Sequence, residues 1–506
     1  MANLRDHQPV VLDKFNGLWA RDDYDNTPID HFQDCDNIDY LGTSSFAVRA
    51  GLAVSQNVNV PLANVRRIYN YATQTANTTI VLTYDPLTGV GSIHHVVNST
   101  TTYGPILAVL GMTDFAFVSY AGRGYISPFG TFAVGDLFQQ KGLSGQFLYV
   151  YAGDGTQARK AAGVAITGAL TIAFGAAGHT DAGTHVFGFV SETVSGYLSP
   201  PGALTSFVTV AANSVSFGTI PTSGDPNVTK RYLVATKAIT GYTGNTQGYQ
   251  FFFVPGGTIS NNTAIFLNDI SFFDQDLIDD ASYLFDNYAE IPAGASLTLY
   301  HDRLCLSATY ADISLTLVSA AGEPEAINQI DGLIVTPLDG NPVTNSQELR
   351  DVLYIFKRSR TVSYTDNGDV PSTWPLVVID TALGTSVHGI GTVLDSGGAS
   401  VDFLIVCTYQ GISLFNGRYI APELSFKIDK FWRDLDRSLF NLIQVINAPI
   451  QKEIMIVLPD RRVLVGNYAN GFDPMKIRWS PWTFLQGINT ICIVNIDEIV
   501  LGADIP

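Results

Sequence analysis

The sequence predicts an all-β protein, a β-propeller interrupted by an inserted β-sandwich. Runs of β-branched and aromatic residues bounded by Gly, Asn and Asp recur along the chain, and 46 Gly and 23 Pro supply turns for many short strands. A unit of apolar strand, turn and apolar strand returns at a spacing of roughly 50 residues, which is typical of propeller blades. The repeat stops near Lys160 and resumes near Tyr300, which leaves room for a separate module.

The repeat is clearest between Asp351 and Gly417, where two apolar strand pairs occur. The first pair ends in the turn Asp366-Asn-Gly368 and the second in Asn416-Gly417, and such dipeptides mark tight turns. Copies of the unit begin at Arg303, Val352, Asp402, Glu453 and, at a closer spacing, Thr490. The copies share a pattern rather than residue identities, and we expect each to form part of a blade.

Three hairpin-like units in the N-terminal part are predicted to form the first blades. They are Ile80–Tyr84 with Ser92–Val96, Phe115–Tyr120 with Gly124–Ser127, and Phe147–Tyr151 with Thr156–Lys160. Their turns contain Gly with Asp, Pro or Arg, which is ordinary turn chemistry. We therefore expect N-terminal blades in residues 1–162 and C-terminal blades in residues 276–506.

The inserted module is predicted in residues 163–275. It opens with a small, apolar, uncharged stretch, Gly163–Gly178, which is too short for a membrane-spanning helix and too rich in Gly for a stable one. Short strands then alternate with Pro and Gly turns, as in a β-sandwich. The order of strands resembles a fibronectin type III or immunoglobulin-like module.

One segment departs from the β pattern. Between Phe426 and Ile443, apolar residues recur at helical spacing and charged residues occupy the other side. The spacing predicts a single helix there, which is more typical of core packing than of a partner site.

The balance of charge argues against a protein that grips nucleic acid. The chain carries 28 Lys and Arg against 46 Asp and Glu, a formal net charge of −18. Binding to phosphates requires the opposite sign, whereas a negative wall repels a duplex and suits its passage. Charged residues make up only 15% of the chain. Either contacts between subunits bury much of the uncharged surface, or Ser, Thr, Asn and aromatic residues cover a monomer.

No motif of catalysis, cofactor binding or metal binding is present in the sequence. It lacks a Gly-x-Ser-x-Gly elbow, a phosphate loop, a dinucleotide fingerprint and zinc spacing, and its four cysteines are scattered. We therefore predict no catalytic, cofactor-binding or metal-ligating residues. A carboxylate pair for glycoside hydrolysis stays open, because its spatial separation does not follow from sequence spacing. The first residues have no apolar core of a signal peptide, so synthesis in a reducing cytoplasm is expected, without membrane insertion.

A run of carboxylates leads back from the insert to the blades. It includes Asp274, Asp276, Asp279 and Asp280, and such a run is usually a solvated linker. The alternative is that these four residues line an acidic lumen.

Short motifs along the blades resemble tail proteins of tailed bacteriophages. They are Asn16–Leu18, Asn37–Tyr40, Arg49–Gly51, Leu299–Ser307, Ser319–Glu325, Asp331-Gly332, Leu353–Lys357, Gly384–Ser386 and Gln410–Gly417. More closely, the chain resembles the β-propeller nozzle or hub proteins of short-tailed phages, also called tail tubular or head-stabilisation proteins. The likeness covers most of the chain outside the insert, and none of its motifs is a catalytic signature.

This resemblance implies a structural virion protein, made in the cytoplasm of a host bacterium. Members of that family form a ring, usually a hexamer, below the portal and adaptor, and the genome leaves through the lumen. The implied role is conduit and gate for genome ejection, with contacts to itself, to the adaptor and portal, to tail fibres or spikes, and non-specifically to passing DNA. The alternative is a glycan-binding or glycoside-hydrolysing β-propeller, with Trp374 and Tyr409 holding sugar.

Overall fold

In the computed structural model, strands predominate among the described residues. These are 18, 20, 36–41, 45–48, 64–73, 76–98, 101–134, 137–162, 166–168, 170–175, 178–239, 249–261, 266–288, 290–337, 339–394, 401–494 and 498–503. A short antiparallel hairpin comes first, formed by β1 (Ile38–Leu41) and β2 (Ser45–Val48). No helix within these ranges is long and apolar enough to cross a membrane.

Two antiparallel meanders follow. Blade 1 contains β3 (Val65–Ala72), β4 (Asn77–Asp85), β5 (Val90–Val96) and β6 (Thr102–Leu110). Blade 2 contains β7 (Asp114–Tyr120), β8 (Arg123–Val134), β9 (Leu137–Gly142), β10 (Tyr149–Tyr151) and β11 (Arg159–Lys160). The third predicted hairpin, around Tyr149, is therefore not a separate blade, because β10 pairs with β8 and completes blade 2.

The chain then leaves the blades and forms three small sheets. Their strands are β12 (Thr171–Phe174), β13 (Gly183–His185), β14 (Phe187–Thr193), β15 (Val208–Val210), β16 (Val215–Gly218), β17 (Val228–Ala235), β18 (Phe252–Ser260) and β19 (Leu267–Ile270). The sheets β12-β16-β19 and β14-β17-β18 contribute apolar side chains to one buried cluster that includes Phe187, Phe217 and Leu233. The assignment of this region to a fibronectin-like or immunoglobulin-like sandwich, and its boundaries at 163 and 275, stay predictions.

Four further meanders and a final hairpin complete the chain. Blade 3 contains β20 (Gly294–Tyr300), β21 (Arg303–Thr309), β22 (Leu315–Ala320), β23 (Glu323–Ile327) and β24 (Leu333–Ile334), and blade 4 contains β25 (Val343–Leu349), β26 (Val352–Lys357), β27 (Thr361–Tyr364) and β28 (Leu376–Asp380). Blade 5 contains β29 (Ile390–Leu394), β30 (Val401–Cys407), β31 (Ile412–Phe415) and β32 (Tyr419–Ile420), and blade 6 contains β33 (Gln444–Ala448), β34 (Glu453–Val457), β35 (Val463–Asn467) and β36 (Arg478–Trp482). Blade 7 is the hairpin of β37 (Ile488–Val494) and β38 (Glu498–Ala503).

These sheets close into a ring. The described residues form seven blades, and the first strands of these blades line the same central cavity. They are β3, β7, β20, β25, β29, β33 and β37. Blade 7 packs against blade 1, because Val65 and Ile68 share a buried cluster with Cys492 and Val494, and the Ile68 amide donates to Thr490 Oγ1 at 3.2 Å. Radially arranged meanders with closed ends define a β-propeller, so this part of the prediction is confirmed.

The segment predicted as one long helix is mostly not α-helical. The α-helix α1 covers only Asp429–Arg433, and 3₁₀ turns lie on either side of it, at Phe426–Ile428 and Arg437–Leu442. Part of the segment nevertheless packs inward, since Ile428, Trp432 and Phe440 belong to the large cluster under blades 5 and 6. The predicted helix length was wrong, and the predicted apolar face is buried only in part, because Leu442 is 43% exposed.

The inserted sheets are held against blades 2 and 3 by a buried carboxylate. Glu325, on β23, is 1% exposed and accepts hydrogen bonds from the Ser195 hydroxyl and the Ala162 amide. The Tyr125 hydroxyl lies 3.4 Å from the same carboxylate. Burial raises the pKa of Glu325, against the lowering by these donors.

Candidate functional site

The central cavity is the feature to which every blade contributes. It measures about 380 Å³ and is lined by polar side chains on the first strands, together with backbone. Many of these side chains join neighbouring blades. Asn345 donates to the Val387 carbonyl at 2.5 Å, Asn447 to the Thr392 carbonyl at 3.2 Å, and Gln444 to the Ile491 carbonyl at 2.8 Å. These side-chain amides are therefore occupied by hydrogen bonds that hold the ring together.

A buried ionic cluster joins blade 1, blade 2 and the loop before blade 5. The Arg67 guanidinium donates to Asp114 through Nε at 3.0 Å and Nη2 at 2.6 Å, and both residues are buried. His388 Nε2 donates to the same carboxylate at 2.9 Å, and the Phe115 amide donates to it at 2.8 Å. Asp114 thus binds four donors from three parts of the chain.

The electrostatics of this cluster favour an ionised carboxylate and a neutral imidazole. Burial alone would raise the pKa of Asp114, but Arg67 and His388 hold it well below its usual range. Burial, together with the nearby Arg67 charge, lowers the pKa of His388. The cluster therefore contains one positive and one negative charge. These charges form a buried ion pair that has a structural role.

One end of the cavity is covered by a loop of this chain. This loop, residues 384–389, is called the strap here. Val387 packs among side chains of blades 2 and 3, His388 reaches blade 2, and the Ser386 hydroxyl donates to the Ile443 carbonyl before blade 6 at 3.3 Å. The Thr385 amide bonds the Lys357 carbonyl of blade 4 at 2.9 Å. A loop of six residues that contacts blades on all sides lies across the axis.

This axial cluster was not predicted from the sequence. Arg67, which follows Arg66, and Asp114 are ionisable residues near the starts of largely apolar strands, and His388 precedes another such strand. An ionisable residue in a buried strand needs a partner. This requirement could have indicated, from the sequence alone, that these side chains are paired. Which residue is the partner depends on the order of blades around the axis, which the sequence does not state.

The predicted acidic residues lie on the return segment between the insert and blade 3. Asp276, Asp279 and Asp280 are exposed, and Asp274 is partly buried. The carboxylate of Asp274 accepts from the Ala238 amide at 2.9 Å, and that of Asp280 from the Ser282 amide at 2.8 Å. The Asp280 contact is local to its own turn, whereas the Asp274 contact ties the segment to Ala238, 36 positions earlier in the chain. Whether they face a lumen stays a prediction.

The aromatic residues assigned to a sugar site are engaged in packing. Trp374 is 4% exposed, its indole N–H donates to the Asp369 carbonyl at 3.1 Å, and its ring contacts Tyr300. Tyr409 is stacked on Phe440 with ring centroids 4.0 Å apart. Trp374 therefore has no open aromatic face for a saccharide and was wrongly assigned, whereas the assignment of Tyr409, which is partly buried, stays a prediction.

One cluster of possible metal ligands occurs among the described residues. The ligand atoms of His301, Glu348 and Asp351 lie within 4.8 Å of one another, at turns of blades 3 and 4. The Asp351 side chain is 90% exposed, so the group is an open surface feature. The three cysteines in the described ranges are buried free thiols, as predicted, and Cys35 lies outside those ranges.

No family model matches the sequence, and no curated protein resembles it significantly. Among solved structures, apo AztD from Citrobacter koseri shares 12% identity over 88% of this chain and 90% of that chain, with a TM-score of 0.35. The C-terminal WD40 domain of Sif2 shares 8% identity over 90% and 100% of the two chains, at a TM-score of 0.32. The endosialidase of phage phi92 shares 10% identity over 95% and 68%, at a TM-score of 0.29. At these TM-scores the likenesses carry no argument about function.

The fold therefore rests on the chain's own sheets. Its strands form antiparallel meanders in sequence order, their first strands surround one cavity, and the last hairpin packs on the first blade. The protein is a β-propeller.

Proposed function

We propose that this β-propeller is a structural protein of a bacteriophage tail, in which several copies form a nozzle or hub ring below the portal and adaptor. The ring is the conduit and gate for genome ejection, and six copies are expected. The proposal includes contacts with tail fibres or spikes and passage of DNA without specific binding. It rests on the motif resemblance, on the acidic balance of charge, and on one surface feature.

That feature is the outer edge of blade 4, formed by β28. Leu376, Val377 and Val378 are 41%, 55% and 47% exposed, and β28 pairs only with β27 among the described strands. Residues 370–379 contain no charged side chain. Proteins that stay monomeric usually protect such an edge with charge or cover. An apolar unpaired edge is therefore a suitable contact between copies.

The axis of the disc itself is not the proposed passage. A cavity of about 380 Å³ is the size of a small-molecule pocket, and the strap crosses one end of it. In a ring of discs the genome would pass between subunits, and the net charge of −18 on each copy would disfavour adhesion of DNA.

The experiment is electron microscopy of the purified full-length chain, combined with a duplex-DNA binding assay at moderate salt. We expect rings and no saturable DNA binding. A protein that stays a single disc at high concentration, and also when mixed with tail components, would contradict the proposal.

A further inference from the structure

Several large apolar side chains are exposed on the segment that returns from the insert to blade 3. Ile278 is 78% exposed, Tyr283 44%, Phe285 45% and Tyr288 37%. We call residues 278–288 the return strip. Isolated exposed apolar side chains are common, but four within eleven residues form a concentrated patch.

The strip is anchored so that these side chains point outward. Ala281 and Leu284 are buried, at 1% and 0% exposure, and they hold the segment against the insert. The Ala281 amide donates to the Phe251 carbonyl at 2.8 Å, and the Phe253 amide donates to the Asp279 carbonyl at 3.2 Å. Because the buried positions are already occupied, the exposed aromatic residues have no interior site to enter.

The charge around these side chains has one sign. Asp279, Asp280 and Asp286 are exposed within the strip, and Glu290 is exposed just beyond it. The sequence contains no Lys, Arg or His from Ala238 to Tyr300, although it contains seven acidic residues there. Lys237 lies close by, with Nζ 4.7 Å from the ring centroid of Phe252. One lysine does not balance the carboxylates.

We propose that the return strip is a docking surface for a basic segment of another protein, one that carries Lys or Arg beside apolar side chains. Aromatic residues of the strip would bury the apolar side chains, and the carboxylates around them would pair with the cations. This combination of an aromatic centre and a charged rim is typical of specific protein interfaces.

Charge selects this partner over the other candidates. A second copy carries the same net charge of −18, so a strip facing another copy would meet repulsion on average. Nucleic acid and anionic lipid surfaces are excluded by the same sign. The inference does not depend on ring formation, and it assigns a role to a surface outside the contact proposed at β28.

The test uses the full-length protein and a fluorescent model peptide of alternating Lys and Leu, with an equally long Glu and Leu peptide as the negative probe. We expect saturable binding of the Lys peptide only. The variant Asp279→Lys/Asp286→Lys should weaken it about tenfold or more, because two attractive contacts become repulsive. Neither carboxylate caps a turn, and unchanged thermal unfolding would show that the fold is kept.

The matched control is Asp369→Lys/Asp434→Lys, which makes the same change in net charge at exposed positions elsewhere. This control should alter binding less than about twofold, and Phe285→Ser should weaken binding even at physiological salt, where screening is strong. Equal losses in both charge variants would show attraction by net charge alone and would overturn the proposal. Loss of rings in the Asp279→Lys/Asp286→Lys variant, with peptide binding unchanged, would assign the strip to a second copy and also overturn it.

Discussion

Asp114 accepts hydrogen bonds from Arg67 and His388, and these three side chains connect blade 1, blade 2 and the strap. Removing the carboxylate by Asp114→Ala leaves the Arg67 charge buried without its counter-ion. We expect the free energy of unfolding to fall by about 3–5 kcal/mol, as measured by urea denaturation. The exposed Asp369→Ala is the control and should change it by less than about 0.5 kcal/mol.

The pKa of Asp114 predicts how this loss of unfolding free energy depends on pH. The folded-state pKa of Asp114 is depressed, so its stabilisation is present above the unfolded-state pKa and is lost as pH falls toward the lower folded-state value. The difference between the wild type and Asp114→Ala should therefore shrink in acid. An equal difference at pH 7 and in strong acid would contradict the ionic assignment.

The contribution of Glu453 to stability has the opposite dependence on pH. Burial, with a smaller effect of Asp39, raises the pKa of Glu453 from its ordinary value of 4.5 to about 7. Stabilisation by the neutral carboxyl is thus complete below about pH 4.5 and is lost as pH rises through about 7. Glu453→Gln should raise the free energy of unfolding by roughly 1–3 kcal/mol at pH 8 and change it little at pH 5. Identical effects at both pH values would contradict this reading.

Single residues were the least predictable part of the molecule. Cys305, Cys407 and Cys492, the cysteines within the described ranges, were correctly interpreted as small buried residues, because their scattered spacing disfavours metal or disulfide roles. Trp374 was misassigned to a sugar site because its position in a turn suggested exposure, whereas its ring packs on Tyr300 between blades 3 and 4. Burial of a turn residue depends on the neighbouring strands and is not encoded in the local sequence.

The strap depends on a close approach of two backbones. A Cβ built on Gly384 would lie 1.9 Å from the Lys357 carbonyl oxygen, a distance that only movement of the strap can relieve. Gly384→Ala should therefore lower the midpoint of thermal unfolding by about 1–3 °C, because about 1–3 kcal/mol of strain is introduced into a chain of this length.

Gly224→Ala is the matched control for the strap, because a Cβ on Gly224 meets nothing within 4 Å. It should leave the unfolding midpoint within about half a degree. If both alanine variants unfold at the same temperature, the strap does not lie as tightly against blade 4 as described.

Strand hairpins were predictable and the helix was not, for a physical reason. Alternating apolar runs such as β30 and β31 are bounded by turns whose chemistry is local. The stretch from Phe426 to Ile443 has helical periodicity, but its apolar residues pack under two sheets at once. Such packing is satisfied by one turn of α-helix between 3₁₀ turns, so periodicity identified only part of the buried face, including Ile428 and Trp432, and not the element.

Closure of the ring explains why the blade count was not predictable. The last hairpin, β37 with β38, has two described strands, and it completes the circle only through its contacts with β3. Those contacts join residues more than 400 positions apart in the chain, such as Ile68 and Thr490. The repeat in the sequence indicated radial blades. Their number became clear only from the contact between the first blade and the last hairpin.

The surface of the whole disc carries the functional proposal. A net charge of −18 keeps unrelated acidic polymers away, while the uncharged edge at β28 offers a contact between copies. Val377, at 55% exposure, is the most exposed of the three apolar residues on that edge. A charged residue at position 377 should leave the fold intact, because the site is exposed in the single disc. It should weaken a contact between copies that buries this site.

Electron microscopy of the full-length protein and of Val377→Lys tests the central claim most directly, with Gln486→Lys on an exposed loop as the control. We predict closed rings of discs for the wild type and for Gln486→Lys, each disc with seven radial sheets, and separate discs for Val377→Lys. Rings that persist unchanged in Val377→Lys would contradict the assigned contact. Particles that are open rather than radial, or single discs in every sample, would contradict the account as a whole.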